Sequence, residues 1–527
     1  MDSKPASQLR AQLLRDLESA EALKTEVSEA YAACTIAQST LKNANANLQA
    51  LIGRRDRLLR SITANRTGLH TLATFPLELL RLIFYEVIDA PDDATLPDTV
   101  LIMNAALMPY YLSSVNRHWR SVALSASACW TYLAIPFVKI KEQHEPLVAH
   151  VYRVLTLSSS QKLRVIVQIG PEEKYRERID PTEVLADDKF YDSIFRALAS
   201  NITRFRSLVL QTEASKLYCE FTQKRADLKT PLDRFLELLR CPTPKLFALL
   251  VSNRSQYALE PEAYNLGYPN TDFPLLLPDS PELERIDAYH APIFCTHSHP
   301  GFPMLKSYTV AGDVPTNGSL LTQTLTRCPR LESLSLDIPL TSIPDQSLTL
   351  PIEVLEIGAS CALIPRMVLP ALTWIKTRAC ALGLFTADHG QGVISLEVED
   401  ITEMDLEQSA ALRNFPSVED LSLRGSGKSQ SIEATPFFDA LCNDTDPLLP
   451  NLHNIEISNV PFRPLSDTIF KLARRRGYSG RHRGAVSLKR FASDDVSIPP
   501  SAAEEFKAIM AQGIGNVIAS PQNDPDA

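Results

Sequence analysis

The densest set of metal-type donors in the chain is His290, Cys295, His297 and His299, carried by HAPIFCTHSHP. Imidazole nitrogens and a thiolate are the ligands a tetrahedral zinc ion takes, and most structural zinc sites draw them from paired clusters. No second cluster at ligand spacing accompanies this one, so the stretch is expected to be a polar loop without a metal. RGSGKSQ from Arg424 echoes the end of a phosphate-binding loop. The first Gly of that motif would fall on Ser422, however, and the cluster follows a strand pattern in place of opening a helix. Neither a Gly-x-Ser-x-Gly elbow nor a His-Glu-x-x-His helix occurs. The expectation is a protein that is no enzyme, takes no cofactor, and works through its surfaces.

The surface residues of most interest sit between Leu72 and Ile135. Pro76 suits the first position of a helix, where its missing N–H costs nothing, and Glu78 lies where the helix dipole favours a carboxylate. Leu79, Leu80, Ile83, Phe84 and Val87 then make a broad apolar stripe at helical spacing. After an acidic loop from Asp89 to Met108, a second helix is predicted to follow Pro109. Leu112, Val115, Trp119, Val122 and Ala123 share one of its faces, and Trp130 comes just beyond. About sixty residues make a marginal core on their own, so a leftover apolar stripe is expected to be covered by a partner.

The order Phe-Pro-x-Glu-Leu-Leu-x-x-Ile-Phe, then Leu-x-x-Val-x-x-x-Trp-Arg-x-Val-Ala, then a late Trp before an apolar exit, resembles the F-box. Phe75 stands where that family usually carries Leu. The resemblance implies docking on the Skp-type adaptor of a cullin-RING ubiquitin ligase. Phe75, Pro76, Leu79, Leu80, Ile83 and Phe84 would be adaptor contacts or their near support. Leu112, Val115, Trp119, Val122 and Trp130 would mainly form the small core.

At 527 residues the chain exceeds one hydrophobic core, so several units or a repeat array are expected. Its 45% hydrophobic and 22% charged residues are those of a soluble globular protein, and a formal charge of −9 argues against a nucleic-acid binder. Thirty-seven Pro against eighteen Gly point to many short strands whose entries are set by Pro. Nine scattered Cys suggest buried free thiols in a reducing compartment. The charged N-terminus lacks the apolar run of a signal peptide, and no stretch is apolar enough to span a bilayer. Cytoplasm or nucleus is the expected location, with no membrane partner.

Those recognition elements need positioning, and two periodicities supply it. From Leu9 to Ile62 a three-four alternation places Leu9, Leu13, Ala20, Leu23, Val27, Ala30, Cys34, Ala37, Leu41, Ala44, Leu48, Leu51, Leu58 and Ile62 on one seam, broken by Asp16 and Arg55. A seven-residue repeat held that long points to a coiled coil. Its Ala-rich seam buries little apolar area, so self-association is expected to be weak. A helix packed on its own chain and a dimer arm both fit the pattern. Arg54, Arg55, Arg57 and Arg60 are read as a solvated face.

The second periodicity is a Pro, one residue, an aliphatic, two residues, an apolar, one residue, an apolar. It appears as PKLFALLV, PELERIDA, PMLKSYTV, PRLESLSL, PALTWIKT, PSVEDLSL and PNLHNIEI, with looser copies PIEVLEIG and GVISLEVE. The anchors Leu246, Leu283, Leu305, Leu331, Ile352, Leu372, Val393, Val418 and Leu452 recur at solenoid spacing. Several copies follow a helix that stops at Pro, as in FLELLRCP, LLTQTLTRCP and EQSAALRNFP. HVYRVLTLSSSQKLRVIVQIG is read as two strands and a polar turn, FYDSIFRALASN as a helix before the strand RFRSLVLQ, and AVSLKRFA as a last strand.

This array resembles irregular leucine-rich repeats of the sort found behind F-boxes. The family's Asn is mostly absent, with Asn459 its best survivor. The resemblance implies a parallel sheet with helices outside and a protein substrate on its concave face. The expected fold class is a mixed α/β solenoid: a coiled-coil helix over 1–66, a helical domain over 70–136, repeats over 137–492, and a capping helix with a disordered tail over 493–527. A basic stretch from Arg474 to Arg483 is read as a surface loop.

Overall fold

In the computed structural model the described residues are 6–72, 75–88, 99–136, 143–169, 181–212, 231–253, 276–290, 293–295, 299–313, 316–342, 347–358, 363–401, 410–425, 441, 448–458, 490–493 and 516–519. The chain divides into two compact units, Met1–Ile83 with Val115–Val122, and Phe84–Ser114 with Ala123–Ala527.

The first element is one uninterrupted helix, α1, Ala6–Leu72, of 67 residues. At 1.5 Å per residue it is about 100 Å long. Helix α2, Leu77–Ile88, opens with the Leu80 amide donating to the Pro76 carbonyl at 3.0 Å. The predicted helix start at Pro109 is not observed. Pro109 lies inside a longer helix, α3, Thr99–Val115, so the acidic loop ends ten residues earlier than Met108. The break comes at Asn116, whose side-chain oxygen accepts from the Trp119 amide at 2.9 Å while its carbonyl accepts from Arg120 at 3.0 Å. That is an N-cap, and it starts α4, Arg117–Ser125. Trp130 closes a short 3-10 turn, Ser127–Trp130, donating its indole N–H to the Ala123 carbonyl at 2.8 Å and meeting Tyr110 edge-on at 5.1 Å.

Among the described residues a main sheet of fourteen parallel strands follows, beside two short two-stranded ones, and its spatial order is its chain order. The strands are β1 Tyr132–Ile135, β2 Leu163–Ile169, β3 Phe205–Thr212, β4 Ala248–Asn253, β5 Arg285–Tyr289, β6 Ser307–Ala311, β7 Ser333–Asp337, β8 Val354–Ile357, β9 Trp374–Arg378, β10 Ser395–Glu399, β11 Asp420–Arg424, β12 Asn454–Ser458, β13 Arg490–Ser493 and β14 Asn516–Ala519. Parallel neighbours cannot be joined by a hairpin; the chain must cross back between them, commonly by a helix. Helices α5 His144–Leu157, α6 Pro181–Ala199, α7 Pro231–Leu239 and α8 Gly318–Thr326 lie in such crossovers.

This requirement overturns one sequence reading. HVYRVLTL, expected as a strand, lies within α5, with Val151, Val154 and Leu155 buried at helical spacing. Its β-branched residues imitate strand alternation, but a strand there would leave β1 and β2 without a crossover. Ser159 at φ 50° turns the chain out of the helix into β2.

The repeat anchors behave uniformly. All nine are at most 1% exposed, and a strand begins two residues after each of them. Seven sit at the end of a turn whose second residue is the recurrent Pro; the Leu331 amide, for instance, donates to the Cys328 carbonyl at 3.2 Å across Pro329. Proline pre-sets the dihedral that position needs, which is why the chain spends Pro there. The residue after each anchor then extends the ladder: Lys306 N–H to Glu284 O, Glu332 to Lys306, Glu353 to Glu332, Thr373 to Glu353 and Ile394 to Thr373, all between 2.8 and 3.0 Å. Alternate strand residues such as Leu334 and Leu336 point into the core.

At the C-terminal end of the sheet, β14 pairs with β13, an extra strand not expected from the sequence. The capping helix from Ser501, the Arg474–Arg483 stretch and Asn459 lie outside the described residues. All six described cysteines are free thiols. Cys129, Cys295 and Cys328 are buried as expected, but Cys34 and Cys380 are exposed, because one lies on α1 and the other in a surface turn after β9. Among the described residues no helix is long and apolar enough to cross a membrane.

Candidate functional site

Helix α2 carries apolar residues on two faces, and the fold uses only one. Leu80, Phe84 and Ile88, four residues apart, are buried. On the other side Leu79, Leu82, Ile83 and Val87 are 48%, 59%, 38% and 47% exposed. Burying a large aliphatic side chain is worth about 1.5 to 3 kcal/mol, so an exposed row of four is a surface suited to a partner. Phe75 is half-buried and Pro76 exposed at the head of the helix. The His118 ring lies 3.3 Å from the Phe75 carbonyl at Nε2, which ties this entry segment to α4. Of the expected core residues, Leu112, Val122 and Trp130 are buried and Trp119 is half-buried. Val115 is 37% exposed, because α3 ends there and turns its last residue outward.

Two of the metal-type donors, Cys295 and His299, are buried in the fold. His299 is buried; its Nε2 lies 2.9 Å from the Leu276 carbonyl, and its Nδ1 accepts from the Gly301 amide at 2.9 Å. Both ring nitrogens are thereby used, and burial lowers its pKa from the ordinary 6.5. The Cys295 thiol is pushed up to about 11 by burial and so stays protonated. His297 lies outside the described residues. Among the described residues no three His, Cys, Asp or Glu side chains converge on a site for a metal ion.

A second candidate surface lies on the sheet face turned away from its core. Ser335, Glu356, Lys376, Glu397 and Ser422 stand in register on β7 to β11. Lys376 Nζ lies 2.8 Å from Glu356 and 3.1 Å from Glu399; Arg424 pairs with Glu397 at 3.1 Å; Ser335 donates to Glu356 at 3.0 Å. Burial works against the charge on Lys376, but hydrogen bonds to the two carboxylates outweigh it and raise its pKa above 10.5. Arg378 reaches Asp337 at 3.4 Å and Asp400 at 3.7 Å, the latter residue following β10 at φ 56°.

Neither a protein-family model nor a curated protein matches this chain.

Toward the carboxyl ends of β5 to β10 this face has a hollow of about 220 Å³ lined by Tyr289, Asp337, Glu356, Gly358, Lys376 and Arg378. Small-molecule sites usually run to roughly 300 Å³ or more, so this hollow suits a few side chains of a larger partner. Gly358 keeps it open: a Cβ there would overlap the Asp337 carboxylate. Carboxylates of Asp337, Glu356 and Glu399 face the cations of Lys376 and Arg378 across the hollow. Sequence reasoning places Ser335 and Asp337 on the outward side of their strand but does not single out Glu356, Lys376 or Arg378. Their signal was present as opposite charges at the same offset from successive anchors, Glu356 and Lys376 each four residues after theirs.

Proposed function

We propose that this chain is the substrate-recognition subunit of a cullin-RING ubiquitin ligase of the SCF type. The exposed row Leu79, Leu82 and Ile83 on α2 docks the Skp-type adaptor, and Leu80 and Phe84, buried behind it, hold the helix in place. The observation that carries this reading is the split of α2 into a buried stripe and an exposed one, on the helix whose sequence resembles the opening of the F-box. The second unit is an irregular leucine-rich-repeat-like solenoid, a reading supported by nine anchors at one offset from nine strands. Where that family uses Asn to satisfy backbone groups inside the turn, this chain uses His299, His389 on the Met367 carbonyl at 2.8 Å, and Asn414 on the Phe385 carbonyl at 2.8 Å.

The charged sheet face binds the protein to be modified. The subunit breaks no bond; it raises the effective concentration of a substrate lysine near the charged ubiquitin carrier. Replacing Leu79 and Ile83 by Asp removes co-purification with the adaptor and leaves the thermal unfolding of the full chain within about 1 kcal/mol, since both residues are exposed. Retained binding overturns the adaptor assignment.

A second reading, a ligase-independent intracellular scaffold that self-associates through α1, is favoured by the exposed seam of that helix. Stoichiometry separates the two: a complex holding one adaptor per chain supports the first, and a self-associated species that ignores the adaptor supports the second.

A further inference from the structure

The apolar seam of α1 stays uncovered along its length: its large members from Leu9 to Ile62 are between 48% and 63% exposed. One continuous helix cannot fold back on its own seam. We propose that a second copy of this chain covers it, running antiparallel, with the two-fold axis crossing the helix between Thr35 and Ile36.

The two charged residues in the seam decide the direction. In a parallel pair each seam position faces its own copy, so Asp16 would meet Asp16 and Arg55 would meet Arg55 inside the seam, two like-charge layers in a desolvating interface. Antiparallel pairing about the stated axis sets Asp16 against the partner's Arg55, twice, by symmetry. Among the described residues Arg55 pairs with its exposed neighbour Asp56 at 2.8 Å, a contact of the kind that contributes little and is readily exchanged.

The remaining layers fit the same axis. Ala20 faces the partner's Leu51, Val27 the partner's Ala44, and Ala30 the partner's Leu41, so small residues meet large ones. A parallel pair would stack Ala on Ala in four layers and leave them thinly filled. The flanks agree as well. The half of α1 before the axis carries five acids, Asp16, Glu18, Glu21, Glu26 and Glu29, against three bases; the half after it carries one acid, Asp56, against six bases. Opposed directions lay the acidic half of one copy along the basic half of the other. With flanking Leu17, Ile52 and Leu59 the seam approaches the roughly 20 to 30 residues a side of a stable interface.

This inference is independent of adaptor binding and is tested on the full chain alone by sedimentation over a concentration series. The wild type is expected to dimerise. Asp16→Arg places Arg against Arg and weakens the dimer at least about tenfold, as Arg55→Asp does by placing Asp against Asp; the double reversal Asp16→Arg with Arg55→Asp recovers wild-type affinity. Helix content by circular dichroism controls for folding. As an independent readout, oxidised Ala37→Cys should yield a cross-linked peptide joining residue 34 to residue 37. A monomeric wild type, single reversals that leave the dimer unchanged, or a link joining residue 34 to residue 34 overturns the proposal.

Discussion

Leu41 and Leu331 are the same residue, each in a regular repeat, and their surroundings are opposite: Leu41 is 63% exposed and Leu331 not at all. The difference follows from the length of the repeat. Seven residues on a straight helix return an apolar group to the same side about 10 Å further along, so the stripe they make can be covered only from outside the helix. Twenty to forty residues that include a turn and a crossover bring the chain back beside itself, so each unit covers the last. The period of an apolar pattern therefore tells whether its partner is within the chain or beyond it.

The sharpest test of that contrast pairs two identical substitutions. Leu331→Ala should cost about 2 to 5 kcal/mol of stability, measured by urea unfolding of the full chain, because it empties a site that the surrounding strands cannot close. Leu41→Ala should change the stability of the monomer by less than about 0.5 kcal/mol. A cost below about 1 kcal/mol at Leu331 would remove the anchors from the core and with them the contrast.

His299 offers the next largest effect, because it serves the sheet side of the comparison as a backbone partner at a corner between units. His299→Ala leaves the Leu276 carbonyl and the Gly301 amide unpaired in a buried place, and should cost on the order of 2 kcal/mol. The pH dependence has a definite sign. Burial lowers the folded pKa of this ring below 6.5, so the stabilisation of its neutral form is complete above pH 6.5 and is lost as pH falls through the folded value. His150, lowered mainly by burial and held 2.6 Å from the Tyr110 hydroxyl, adds to the same acid limb. The variant should therefore show a shallower fall in stability between pH 7 and 5 than the wild type, without losing the fall altogether.

Much of this architecture was legible because it follows from local chemistry. A Pro that pre-sets a turn, an aliphatic two residues on, and alternation after it were enough to find nine strands, since each signal acts within eight residues. What failed depends on contacts between distant residues. Whether HVYRVLTL is helix or strand is decided by the need to cross from β1 to a parallel β2, not by its own side chains. On α2 the row Leu79, Leu80, Ile83, Phe84 and Val87 looked like a single stripe. The fold divides it, burying Leu80 and Phe84 and leaving Leu79, Ile83 and Val87 outside, a choice that equal hydrophobicity cannot reveal. The charged rows of the sheet were hidden for a related reason: their pairs are about twenty to forty residues apart in sequence and meet only through register.

Gly358 sharpens the sheet side further. Its position follows the Ile357–Leu336 pair, where the neighbouring strand presents Asp337. Gly358→Ala puts a Cβ onto the Asp337 side chain and should cost about 1 to 2 kcal/mol after the strand shifts to make room. Combining it with Asp337→Ala should return part of that cost, and strict additivity of the two substitutions would mean that the hollow is not kept open by the missing side chain.

The smallest effect concerns the exposed face itself, where the sheet most resembles α1 in leaving groups for others to bind. Lys376→Met removes the cation shared by Glu356 and Glu399 and should cost less than about 1 kcal/mol near neutral pH, since ion pairs open to solvent contribute little. The wild-type advantage should be complete below pH 10.5, the ordinary lysine value, and vanish as pH rises through the elevated pKa of the folded chain. Binding is where the substitution should tell. A partner recognised by this face loses the cation between Glu356 and Glu399, so its affinity should change with Lys376→Met by more than the stability does, as read by calorimetric titration of a captured substrate. Equal changes in both would mark Lys376 as a strut of the sheet and move recognition off this face.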